Sequence, residues 1–334
     1  MNRFQKWAVA TTAATFLLII IGGLVRASDA GLGCPDWPTC FGEPYPPLTM
    51  AELAERDVPA DFDLASFEIR LAWIEWINRA TGAVIGLLVV ATLAAALVDH
   101  RDNKRILYPT IGAFITVVIN GWVGSLVIES RLQPIVISVH LLLAWVQVSL
   151  LLLAAVSAFY PQGGLPRGEL PPERRILARA ALVVLFLGLV QGGLGADLRG
   201  QLEVIEKENP EMARGAFIHE ADWVDPVHRS FSWVVMAGVF GLAYYAHTRI
   251  DYNPALRYTT QGVVVLTLAQ IGAGIGLAYV NLPPALQVVH LINGTFLLAA
   301  ITMVYLLATR LPIAAAAPAT DDTREPLETA TAMD

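Results

Sequence analysis

Charge is scarce in this chain. Asp, Glu, Lys and Arg make up 15% of its 334 residues, while 55% are hydrophobic. A soluble domain of this size cannot hide so much apolar side chain, so a water-soluble globular protein is excluded. Cysteine is scarcer still: there are two, Cys34 and Cys40, with five residues between them. No CxxC spacing occurs, which speaks against a cysteine-held metal cluster. Strict alternation of apolar and polar residues is also missing, so a membrane β-barrel is excluded. No excess of basic residues is present either. The net charge is −7, and nothing in it points to nucleic acid.

What is there instead is a set of long apolar runs, and the mean hydropathy is +0.56. Eight runs are long enough to cross a bilayer, at about residues 7–25, 73–98, 106–128, 134–159, 175–196, 224–247, 257–280 and 284–309. The first has Arg3 and Lys6 before it and Val25-Arg26-Ala27 after it, features shared with a signal peptide. Its length and its counterpart later in the chain favour a retained helix. The reading is an all-α integral membrane protein with eight transmembrane helices.

Basic residues set the orientation. Arg3 and Lys6, Arg101, Lys104 and Arg105, Arg167, Arg174, Arg175 and Arg179, then Arg249 and Arg257 all fall on one side. That side is expected to be cytoplasmic, with both termini on it, in a bacterial plasma membrane. The long opposite loops, about 27–72 and 197–222, are acidic. The tail over 311–334 is expected to be disordered.

The chain also repeats itself. Trp73, Glu75, Asn78 and Arg79 correspond to Trp223, Asp225, His228 and Arg229, each 150 residues later. Gly124 and Gly274, Pro134 and Pro284, and His140 and His290 share that offset. Gly22-Gly23-Leu24 recurs at 192–194, an offset of 170. The expected organisation is two tandem-duplicated four-helix bundles, residues 1–159 and 174–310, joined by a cytoplasmic linker at 160–173. An even number of helices per unit gives both copies one orientation.

His140, His228 and His290 fall within about two turns of the outer ends of their runs, where polar groups are costly unless paired or functional. Two imidazoles at matched depth on neighbouring helices suit a flat macrocycle, with one nitrogen on each face of its iron. The alternative is a set of histidines that only join helices by hydrogen bonds. His100 and His247, at cytoplasmic ends, are expected to be solvated, and His219 to lie on the surface. Asp225 is placed to cap its helix, with Pro226 in the first turn. Arg79 and Arg229 can each meet a macrocycle's carboxylate or neutralise Glu75 and Asp225. Cys34 and Cys40 lie in an outer loop where a disulfide is allowed, either as a staple or as a redox pair. Gly82 with Gly86, and Gly188 with Gly192, have the spacing of close helix packing.

These features together resemble the heme A synthase family. The matching stretches are "GGLVRASDAGLGCPDWPTCFG", "EWINR", "QPIVISVHLLLA", "VHR" and "LQVVHLINGTFLLA". The resemblance covers residues 7–309. It implies an oxidoreductase that converts a methyl group of heme O to the formyl group of heme A, through hydroxylated intermediates, for terminal oxidase assembly. It implies a heme b held by iron between His228 and His290 in the second half, with the substrate heme O in the first half on His140. Glu75 matches the family's glutamate, and Cys34 and Cys40 match its loop cysteines. Heme O synthase and oxidase assembly factors are the implied partners, beside membrane lipid. The family's usual first histidine is replaced by Asn78, a poor iron ligand. Asn78 can still hydrogen-bond a distal water or oxygen species. Glu75 can stabilise positive charge at the reacting carbon or take a proton, or simply pair with Arg79. By spacing alone, Asn78→His is expected to complete a second bis-histidine pair. The competing readings are a b-type cytochrome without a substrate site and a transporter. Uninterrupted helices with polar residues near one face count against transport.

Overall fold

The computed structural model describes residues 1–60, 62–65, 67–160 and 170–311. Most of the linker (161–169) and the tail from 312 onward lie outside the described residues. The order is α1 (Arg3–Ala27), α2 (Met50–Ala54), α3 (Ile69–Asp99), α4 (Lys104–Glu129), α5 (Pro134–Phe159), α6 (Pro172–Glu208), a 3₁₀ turn (Arg214–Ala216), α7 (Phe217–Glu220), α8 (Val224–Arg249), α9 (Pro254–Tyr279) and α10 (Pro284–Arg310). Among the described residues there is no strand, only an isolated bridge between Cys40 and Glu43.

Seven of the long helices are apolar enough over their length to cross a membrane: α1, α3, α4, α5, α6, α9 and α10. The eighth expected span, α8, is 26 residues long but is not among them. Asp225, His228 and Arg229 at one end, and Tyr244, Tyr245, His247 and Arg249 at the other, dilute its apolar middle. Large apolar side chains such as Leu87, Phe186, Val265 and Ile275 face outward, as lipid-facing helices require. The chain is a multi-pass membrane protein. Buried hydroxyls are satisfied locally: Thr15, Thr110, Thr267 and Thr302 each donate to the carbonyl four residues earlier.

Local chemistry sets several helix starts. The Asn2 side chain accepts from Gln5 N while Gln5 returns a bond to Asn2 N, a capping box. Pro134, Pro172, Pro254 and Pro284 each open a helix, where their missing N–H is not needed. Asp225 does not cap α8 as expected. The cap position is Trp223, and Asp225 lies one residue inside the helix, bonded to Arg229. The α4–α5 and α9–α10 turns share one geometry: Arg131 and Leu132, and Asn281 and Leu282, have φ of 53°, 65°, 57° and 52°. Left-handed leucine costs about 1–2 kcal/mol. Burial offsets this, since Leu282 packs with Leu202 and Phe217 and Leu132 packs against Gly31.

α1 packs on α3 and α5, α3 on α4, and α4 on α5. Likewise α6 packs on α8 and α10, α8 on α9, and α9 on α10. Contacts of α1 with α10, and of α5 with α6 and α10, join the two groups. There Trp145 Nε1 donates to Thr295 Oγ1 at 3.2 Å, and Phe16 stacks on Phe296. The two main apolar cores lie toward the end that carries Phe4 and Leu311. One gathers Phe4, Ala8, Ala96, Ile106 and Ala155. The other gathers Leu177, Val239, Val263, Ile301 and Leu307. The histidines His140, His228 and His290 sit toward the opposite end.

Three local expectations change. α6 runs on to Glu208, so half of the expected outer loop at 197–222 is helix. Gly188 and Gly192 do mark close packing, since a Cβ on them would meet Leu298 at 2.8 Å and Trp145 at 2.6 Å; Gly82 and Gly86 face nothing within 4 Å. His100 and His247 are not simply solvated. His100 packs edge-on to Phe4, and His247 bonds Thr260 at 3.1 Å. His219 is exposed, as expected.

Candidate functional site

The loop between α1 and α3 is fastened to α3 by polar contacts. Cys34 and Cys40 form a disulfide, and both are fully buried. Glu75, 3% exposed, accepts from Cys34 N at 2.8 Å through Oε2. Its Oε1 takes the Arg79 Nε at 3.1 Å and Nη2 at 2.5 Å. The other Arg79 hydrogens go to loop carbonyls: Asp36 at 2.5 Å, Thr39 at 2.9 Å and Cys34 at 3.0 Å. A guanidinium has five N–H donors, and all five are used. The pairing of Glu75 with Arg79 that the i, i+4 spacing allows is therefore present. The alternative contact, of Arg79 with a bound macrocycle's carboxylate, finds no donor left over in this arrangement, which only the loop's path reveals.

Further contacts reinforce the clamp. Trp73 and Trp76 donate to Pro47 O at 3.2 Å and Pro44 O at 2.7 Å. Asp36 accepts from Thr39 Oγ1, Phe41 N and Gly42 N. Burial alone would raise its carboxyl, but these bonds hold it below the usual carboxylate range, so it stays ionised. Phe41, Phe62 and Phe67 meet edge to face. Gly33 crosses α3 so closely that a Cβ would lie 2.6 Å from the backbone N and Cα of Ala72. Gly33→Ala is therefore expected to lift the loop off α3. Faster reduction of the Cys34–Cys40 disulfide by added thiol is the measurement, and an unchanged rate would contradict this docking.

The second half differs. Among the described residues Arg229 bonds only through Nε, on Asp225 Oδ1 at 2.9 Å, and its side chain is 41% exposed. Its two terminal nitrogens remain for an anionic group.

Each histidine rests on a glycine of a neighbouring helix. A Cβ on Gly124 would meet His140 Cε1 at 3.4 Å, and one on Gly274 would meet His290 Cε1 at 3.4 Å. On Gly195 it would come within 2.9 Å of His228 Cε1. Gln191 Nε2 lies 3.2 Å from His228 Nδ1, 3.4 Å from Nε2, and 3.0 Å from its carbonyl oxygen. Among the described residues, Asn78 Oδ1, His140 Nδ1 and His290 Nδ1 are buried with no partner in hydrogen-bond geometry. Such orphans in an apolar setting are costly. The histidines, with their glycine rests, fit a group that takes nitrogen ligands. Asn78 and His140 lie on α3 and α5 of the same helix group, and no hydrogen bond joins them among the described residues.

Sequence reasoning missed Gln191 and the pair Gln270–Asn293. Asn293 Nδ2 donates to Gln270 Oε1 at 2.7 Å and to Leu266 O at 2.9 Å, tying α9 to α10 three residues beyond His290. The available signal was an amide inside an apolar run, where a side-chain amide needs a partner.

A family model described as cytochrome oxidase assembly protein, COX15-CtaA, matches residues 5–302. The chain belongs to this family. It is 28% identical to a heme A synthase of Flavobacterium johnsoniae, over 89% of this chain and 95% of that protein. It is 26% identical to a heme A synthase of Shewanella oneidensis, over 88% and 92%. A heme A synthase of Methylobacterium radiotolerans is 24% identical over 84% and 83%. The family match takes in the loops after α1 and after α6 and all of His140, His228 and His290, so it extends well beyond one helix group.

Proposed function

We propose that the chain is a heme A synthase, oxidising the methyl group of heme O to the formyl group of heme A. The observation that carries this is the alignment with heme A synthases over nearly the whole chain, coinciding with three half-buried histidines, each set against a glycine. Heme O synthase is the class of enzyme that supplies the substrate, and terminal oxidase assembly uses the product.

The reading takes the chain as two duplicated bundles, 1–159 and 174–310, with α8 as an eighth span. At ~1.5 Å per residue, 26 residues exceed a bilayer core of ~30 Å. The paired turns at 131–132 and 281–282 and the paired helix contacts support duplication. So does the bond between Trp145 and Thr295, equivalent positions 150 residues apart that meet. The basic residues support cytoplasmic termini and a bacterial plasma membrane.

His228 and His290 would hold a heme b, with Arg229 available to a propionate. When bound, that heme supplies one-electron redox chemistry at its iron. His140 would ligate the substrate heme from α5. Asn78, with an orphan oxygen, would hydrogen-bond a small ligand such as water. Glu75 would act by its charge, since Cys34 and Arg79 hold both its oxygens.

The test is expression with a heme O synthase, followed by extraction of the hemes and identification by mass. Heme A or its alcohol precursor is the expected product. His140→Ala is expected to stop product formation and keep the second-half heme. Hemes O and B alone from the intact chain would defeat the enzyme reading in favour of a b-type cytochrome.

A further inference from the structure

The cores of the two halves differ at one depth. In the second half, Ala181, Leu242 and Leu297 belong to the apolar core, and Leu185 and Leu266 pack against it. The offsets of 170 and 150 pair these five with Thr11, Thr92, Gln147, Thr15 and Thr116 of the first half. The first-half core stops short of that layer: on α5 it holds Ala154, Ala155 and Ala158 but not Gln147.

The four threonines are satisfied within the chain. Thr11 and Thr92 bond each other at 2.8 Å, and Thr15 and Thr116 donate to the carbonyls four residues earlier. Gln147 is not. It is 3% exposed, and among the described residues neither its Oε1 nor its Nε2 has a partner in hydrogen-bond geometry. A side-chain amide buried in this way is costly, and the leucine at position 297 avoids that cost.

The neighbours of Gln147 on α5 fix where it lies. Seven residues are close to two helical turns, so His140, Gln147 and Ala154 share one face. His140 rests on Gly124 of α4, and Ala154 lies in the core with Phe4 of α1, Ala96 of α3 and Ile106 of α4. Gln147 is therefore on the bundle-facing side of α5, about 10 Å along the helix from the histidine. Half the width of a porphyrin and one glutamine side chain bridge that separation. Asn120, on α4 one turn from Gly124, is a second amide with an unpartnered oxygen. Its equivalent Gln270 is bonded by Asn293, whose place in the first half is taken by Leu143.

We infer that Gln147, with Asn120, is the subsite by which the first half recognises the hydroxyl on the substrate heme's side chain and so distinguishes heme O from heme B. The inference rests on the two-site reading above. Heme O carries a hydroxyalkyl isoprenoid side chain where heme B carries a vinyl group. An amide donates to or accepts from that hydroxyl, and a vinyl group offers it neither. The half assigned to heme b has leucine at this depth, which suits a vinyl group. The difference between the two cores follows the difference between the two hemes.

The experiment titrates the purified full chain, with its second-half heme already bound, and follows first-half binding by optical spectra. The probes are heme O, heme B, and hematoheme, in which the vinyl groups of heme B are hydrated to hydroxyethyl groups. In Gln147→Leu the affinities for heme O and hematoheme are expected to fall about tenfold, the scale of one lost hydrogen bond to a buried hydroxyl. The affinity for heme B should hold or rise. Gln147→Met, similar in length but without the amide, should behave the same way. An unchanged second-half low-spin spectrum reports an intact fold in both. An equal fall for all three hemes would make Gln147 a packing residue, and no change for any would leave its amide to internal water; either overturns the proposal. Heme O binding that persists undiminished in His140→Ala would instead overturn the two-site reading, and the proposal with it.

Discussion

His228→Ala and His290→Ala are each expected to abolish the low-spin heme spectrum of the second half. A low-spin iron needs a strong ligand on both faces, and each substitution leaves one. The two residues come from α8 and α10, and neither helix supplies a nearby replacement: α10 carries no other histidine, and α8 carries only His247, near its far end. The second histidine should remain in place, because Gly195 or Gly274 supports each ring independently. A five-coordinate, high-spin spectrum of lower intensity is therefore the expected residue of either change. Adding free imidazole should restore part of the low-spin signal by refilling the vacated ligand position. Retention of a bis-histidine spectrum in either variant would contradict the assignment of that residue.

Arg79→Leu is expected to have the second large effect, on the outer loop. It removes all five bonds that join Glu75, Cys34, Asp36 and Thr39 to one side chain. It also strands Glu75, 3% exposed, without its counter-ion. Breaking a buried pair by removing one partner costs about 3–5 kcal/mol. A soluble domain would spread that loss over its whole fold. Here the apolar cores at the other end are separate, so the loss falls on the loop. Faster thiol reduction of Cys34–Cys40 and faster proteolysis of the segment before α3 are the expected readings, with α-helical content unchanged. Arg79→Lys keeps the charge but has three donors on one nitrogen and no planar fork. It should recover only part of the protection. Equal protection in Arg79→Leu and the parent would show that the disulfide and the Phe41–Phe62–Phe67 cluster hold the loop unaided.

Much of this protein is legible locally. Low charge and long apolar runs determine the membrane class, because lipid offers no partner for backbone polar groups and imposes helices. The positions of His140, His228 and His290, the departure at Asn78, and the spacing between the halves are all visible in the chain itself. The family match over residues 5–302 agrees with the resemblance those stretches carry. The span at α8 is the marginal one, since a site rich in polar residues lowers the very hydropathy by which spans are found.

Tertiary structure alone decided the rest. Arg79 looked equally suited to a heme carboxylate and to Glu75. Its partners proved to be Glu75 together with three main-chain carbonyls more than 35 residues away, and carbonyls carry no sequence signature. Gly82 with Gly86 and Gly188 with Gly192 have one spacing, yet only the second pair has a neighbour to pack against. Gly195 is one glycine among several in an apolar run, and it acquires meaning only because the His228 imidazole from another helix lies over it. Hydropathy and periodicity describe what each segment can do with lipid and with itself; which side chain meets which surface is set by how the helices come together.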